Sequence, residues 1–132
     1  MTRTFFLSLL TFSGCAAVGA PERSFQAPPG DVRAAALAAV GAHDDVRQDG
    51  DVVRTGWGPE YESGAQGLFL GQGYRYRTRY EIRLSGSTAS VSAVVERRAP
   101  GGPRSIRWER VDGDPAAELL LEDIGRRLEK RS

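Results

Sequence analysis

Apolar and polar residues alternate most strictly between Gly73 and Leu84. Tyr74, Tyr76, Thr78, Tyr80, Ile82 and Leu84 fall on one parity; Arg75, Arg77, Arg79, Glu81 and Arg83 fall on the other. Successive side chains of a strand point to opposite faces, so the pattern predicts a strand with one face buried and one wet. Ser85-Gly86-Ser87 supplies a hairpin turn. The returning segment, Thr88 to Arg97, puts Ala89, Val91, Ala93 and Val95 on the core side, with Ser90, Ser92 and Glu96 facing out. Pro100-Gly101-Gly102-Pro103 turns the chain again, and Ser105 to Val111 predicts a further strand with Ile106 and Trp108 on one face. Turns this short join antiparallel neighbours, so the three strands form a meander.

The period changes from two to 3.6 on either side of this block. After the breaker Pro28-Pro29-Gly30, Asp31 is suited to cap a short helix over Val32 to Val40, with Val32, Ala36, Ala39 and Val40 on one face and Gly41 at its end. Near the C-terminus, Asp114 is placed to cap a second helix with Pro115 in its first position. Ala117, Leu120, Leu121, Ile124 and Leu128 form its apolar stripe. Its carboxylates come early and its cations late, as the helix dipole favours. Ahead of the first helix, Glu22 to Ala27 suits a short first strand. Asp49-Gly50 is a turn, and Val52 to Trp57 a strand with Val53, Thr55 and Trp57 on one side. Gly58 to Gly71 read as a long loop, or as a loosened hairpin, with Leu68-Phe69-Leu70 as an apolar patch. The fold class expected is α+β: an antiparallel sheet of four or five strands, with a short N-terminal helix and a C-terminal helix packed on one face.

The N-terminus follows a different logic. Met1 to Thr4 carry one positive charge, and Phe5 to Phe12 form an apolar run that ends at Ser13-Gly14-Cys15. A charged start, a short apolar stretch and small residues make a secretory signal, and the run is too short to span a bilayer. Phe12-Ser13-Gly14-Cys15 resembles the lipobox of bacterial lipoproteins, which implies cleavage before Cys15 and acylation of its thiol. Several acyl chains together anchor stably where one does not. The domain expectation is therefore a signal peptide at 1–14, a lipidated cysteine with a flexible tether at 15–21, and a single α+β domain at 22–132. Ala16 after the cysteine, rather than Asp, resembles sorting to the outer membrane facing the periplasm.

Composition narrows the function. The 132-residue chain has net charge +1, so no global basic field draws it to nucleic acid. Its one cysteine rules out an internal disulfide. The single histidine stands in His43-Asp44-Asp45, where adjacent side chains do not converge as a metal site requires, and the segment reads as a solvated turn. Gly64, Gly67, Gly71 and Gly73 lack the helix and lysine of a phosphate loop. No nucleophile stands in a recognisable elbow or pairing motif. No enzyme activity, cofactor or metal is expected. The most suggestive polar feature is the stripe Arg75, Arg77, Arg79 and Arg83, suited to anionic headgroups or an acidic partner, or else paired with glutamates on neighbouring strands.

The order of elements is similar to that of the helix-grip-type domains of envelope lipoproteins, the group that includes the lipoprotein C subunit of the outer-membrane β-barrel assembly machinery. The likeness lies in the cysteine and tether, the Phe25-to-Val32 helix start, Tyr74 to Tyr80, a meander with Trp108, and a last helix with Leu120, Ile124 and Leu128. It implies a lipid-anchored envelope protein with a protein partner, acting as a non-enzymatic binding or scaffold module, with outer-membrane assembly as the setting the likeness suggests. The binding surface expected is the groove between terminal helix and sheet, the arginine face, or Leu68, Phe69 and Leu70. The alternative is a carrier holding a lipid or other small apolar ligand between helix and sheet.

Overall fold

Alternation over residues 74–84 builds the spine of the molecule, a long two-stranded hairpin. A computed structural model describes residues 19–62, 74–99 and 107–131; the signal segment, Cys15 and the patch Leu68-Phe69-Leu70 lie outside the described residues. In chain order the elements are β1 (Glu22–Ser24), α1 (Pro29–Ala39), β2 (Arg47–Asp49), β3 (Val52–Arg54), β4 (Tyr61–Glu62), β5 (Arg75–Ser85), β6 (Thr88–Arg98), β7 (Glu109–Val111) and α2 (Asp114–Arg131).

The fold is α+β. Among the described residues, seven strands form an antiparallel sheet along the path β1-β6-β5-β3-β2, with β4 added to β5 and β7 to β6. The hairpin register pairs Thr78 with Val95, Ile82 with Val91 and Leu84 with Ala89, all on the helix-bearing side. Gly86, at φ +58°, makes the two-residue turn that sets this register. Slipping the register by one residue would turn every apolar side chain to the wrong face.

Both helices lie on that one side. Val32 and Ala36 of α1 and Leu121 and Ile124 of α2 join Val53, Ile82 and Val91 of the sheet in one core, all fully buried. Each such branched side chain contributes about 1.5–3 kcal/mol when removed from water, which holds short α1 in place despite its length. The expected apolar stripe of α2 is the buried one, with Leu128 partly covered.

Local starts differ from expectation in instructive ways. Helix α1 begins at Pro29 rather than after Asp31: the carbonyl of Pro28 accepts from Asp31 and Val32, and no side chain caps the end. A proline fixed near helical φ supplies the nucleus, and Asp31 becomes a first-turn acid. At α2 the capping carboxylate is Asp112, which accepts from the amide of Asp114 at 3.0 Å. Strand β2 carries only exposed polar residues and has no periodic signal; the Gly50 turn folds it onto β3.

The strand expected through Trp57 stops at Arg54. Thr55 N–H donates to Tyr80 O, and Gly58 N–H, not Trp57, donates to Thr78 O. One extra residue is thereby inserted opposite β5, and the amide of Tyr80 bonds the Thr55 hydroxyl instead. This bulge flips the parity. Val53 and Thr55 stay in the core, whereas Trp57 moves to the opposite face, against Arg77. Trp108 precedes β7 and reaches the same arginine; its expected strand neighbour Ile106 lies outside the described residues.

Candidate functional site

Where the first turns of α2 overhang the sheet, a groove of about 440 Å³ opens between Ala116 and Leu119 on one side and Thr78, Tyr80, His43 and Pro59 on the other. Tyr61 forms its outer lip. Leu119 is 63% exposed and Tyr61 47%, the two most exposed large apolar side chains among the described residues. Leu119 stands off the buried stripe of α2 by one position, which is why it meets solvent.

Backbone hydrogen bonds place His43 at this groove. Its own amide donates to Val40 O, continuing the end of α1. The amide of Asp44 donates to Trp57 O and that of Gly56 to Asp44 O, so the turn after α1 is tied to the bulged segment. The imidazole then lies against Gly58, where a Cβ would fall 2.6 Å from Nε2, and 5.3 Å from the ring of Tyr80. Only glycine leaves room for it. His43 is therefore half-buried, not a solvated turn residue as its acidic neighbours suggest. Its Nδ1 is buried without a hydrogen-bond partner. Burial holds the imidazole below its ordinary pKa, against weaker opposing effects from nearby backbone groups and Asp44. Burial also pushes the Tyr80 phenol up to about 12, so it is a neutral hydroxyl at any working pH.

The floor continues as an aromatic row. Tyr61 stacks on Tyr76 at 5.5 Å, Tyr74 meets Tyr76 edge-on, and the Arg97 guanidinium covers Tyr74 at 4.4 Å. The hydroxyls of Tyr61 and Thr78 are 3.4 Å apart, too far for a strong bond. No nucleophile is paired with a base here. Among the described residues no three histidine, cysteine or carboxylate side chains come together as a metal site would need.

The arginine stripe lies on the other face of the sheet. Arg75, Arg77, Arg79 and Arg83 all point away from the helices, as alternation requires. Glutamates meet them: Glu60 holds Arg75 at 3.0 Å, Glu96 holds Arg77 at 2.6 Å, and Glu81 holds Arg83 at 2.8 Å. Glu109 lies on the helix-bearing side instead and bonds Arg97. Arg77 is the most enclosed of the stripe. Its guanidinium sits between the rings of Trp57 and Trp108, at 4.1 and 4.2 Å. A larger recess of about 530 Å³ lies between the Ser24–Pro28 segment and the end of α2. Charged side chains edge it, and Arg131 and Asp31 face each other there at 3.5 Å.

Sequence reasoning singled out the groove between terminal helix and sheet but none of its named residues. Leu119 was legible as a leucine outside the apolar stripe. His43 and Pro59 were not, because a bulge and a turn bring them in. The patch Leu68-Phe69-Leu70 and Cys15 lie outside the described residues. No helix among the described residues is long and apolar enough to cross a membrane. No protein-family model, no curated protein and no solved structure matches the chain.

Proposed function

We propose that the protein is a lipid-anchored, periplasm-facing envelope protein whose domain is a non-enzymatic binding module, and that it grips a protein partner through the groove at Leu119, Tyr61 and His43. The resemblance of residues 12–15 to a lipobox supports the anchor, and the order of elements supports a place in outer-membrane assembly. The observation that carries the binding reading is the exposed Leu119 over an apolar floor. Exposed apolar side chains clustered at a concave edge are where partners dock, and aromatic rims are common anchors.

The shape favours a protein segment over a carried molecule. A site that carries a small ligand encloses most of the ligand's surface. Here the space between helices and sheet is filled by Ile82, Leu121, Ile124 and Val91, each fully buried. What remains is an open groove that admits a side chain or two from a partner.

Titration of the full-length protein with a fluorescent apolar probe separates the two readings. The binding-module reading expects weak binding that does not saturate at one probe per chain. Stoichiometric, saturable binding that Leu119→Arg removes would make the protein a carrier of a lipid or other small apolar ligand instead.

A further inference from the structure

We infer that the helix-free face of the sheet is a docking surface for an anionic phospholipid bilayer. Among the described residues no element covers it: both helices pack on the other side, and the polar parity of β5 and β6 is exposed or half-buried. Its charge is unbalanced in a specific way, because each central carboxylate serves two guanidiniums. Glu81 lies 3.1 Å from Arg54 and 2.8 Å from Arg83. Glu96 lies 2.6 Å from Arg77 and 3.8 Å from Arg110. Glu60 lies 3.0 Å from Arg75 and 3.5 Å from Arg98. Arg79 makes no ion pair among the described residues and lies over Trp57 at 4.8 Å. Glu62, 3.8 Å from Arg75, shares this face, and so by register do Glu22 and Asp49, so among the described residues its excess of positive charge is small and centred on Arg79.

The aromatic content chooses between anionic partners. The chain has two tryptophans, and both lie on this face, flanking Arg77. Tryptophan rings favour the level of lipid headgroups, and guanidiniums bind phosphates in forked geometry. Arginines with interleaved tryptophans on a broad, open face fit a phosphate-bearing interface better than an acidic peptide, which a groove would hold. The anchored reading adds proximity, since a tether over residues 16–21 reaches at most about 20 Å. The face-down orientation leaves the groove at Leu119 directed away from the bilayer, free for a protein. The vesicle experiment below does not depend on the anchor.

Because both tryptophans report on this face, their fluorescence tests it directly. The chain from residue 15 onward carrying Cys15→Ala, which has neither acyl chain nor signal segment, is mixed with vesicles containing brominated phosphatidylglycerol and, separately, with brominated phosphatidylcholine alone. Quenching should appear with the anionic vesicles, disappear in high salt, and be weakened about tenfold or more in Arg79→Gln/Arg83→Gln, given roughly 1 kcal/mol per cation at an anionic surface. Leu119→Arg, on the other side, should not weaken it. Equal quenching by both lipids, or sedimentation with vesicles without quenching, would overturn the proposal. So would a tryptophan response to an acidic peptide with none to anionic vesicles, which would assign the face to an acidic protein.

Discussion

His43 illustrates how a residue's chemistry depends on what packs against it. The ring lies in the space left by Gly58, beside Tyr80, with Nδ1 buried and unpartnered. Desolvation favours its neutral form, so its pKa in the folded chain lies below the ordinary 6.5. The unfolded chain then binds the proton first as pH falls. Stability from this group is complete above pH 6.5 and declines as pH drops through that value toward the folded pKa. The chain has one histidine, and carboxylates titrate lower. The urea midpoint should therefore fall between pH 7.5 and 5.5 in the natural chain and stay nearly level in His43→Gln. Equal slopes in the two proteins would show that the ring is solvated in the folded state. Reading His43 from its neighbours alone fails because Asp44 and Asp45 imply a wet turn. The contacts that bury it come from Gly58 and Tyr80, distant in sequence.

At the scale of elements, periodicity was legible wherever an element has one dry face. The hairpin β5–β6 and the stripe of α2 follow directly from alternation and from 3.6-residue spacing. The bulge after Thr55 was not legible, because its cause is a hydrogen bond between the Thr55 hydroxyl and an amide on another strand. That single inserted residue carries Trp57 from the expected core side to the arginine face. The joint between β7 and α2 is a second non-local constraint. A Cβ at Gly113 would fall 2.0 Å from the carbonyl oxygen of Ala93, so the chain passes with no room for a side chain. This close passage lets α2 start above the sheet, with the amide of Ala117 bonded to Gly113 O and Ala117 fully buried. Gly113→Ala should destabilise the protein by about 1–3 kcal/mol, the usual cost of forcing extra volume into packed structure. Denaturant unfolding measures this, and an unchanged midpoint would mean the joint yields freely.

The whole molecule has two unlike faces. One side carries the helices and the groove at Leu119; the other is a sheet surface of arginines, shared glutamates and two tryptophans. The proposed anchored binding module would use such a division, with one side toward the membrane and one toward a partner. If Cys15 is the anchor, the natural chain should incorporate labelled fatty acid and stay with membranes after a high-salt wash, while Cys15→Ala should incorporate none, since acylation needs the thiol. Equal labelling of both would show that the thiol is not the attachment point. The expectation from sequence came from residues 12–15 and from the order of elements. The groove itself needed three dimensions, because α2, the turn after α1 and the bulge meet only there.

The groove at Leu119 is proposed to hold a protein. The most direct test of this is photo-cross-linking in the native envelope, with a photoreactive residue at Ala116 in the groove and, as a control, at exposed Glu122 on the same helix. One discrete adduct with an envelope protein is expected from position 116, absent from position 122 and lost when Leu119→Arg is added. The same adducts from both positions, or adducts at 116 with lipid alone, would contradict it.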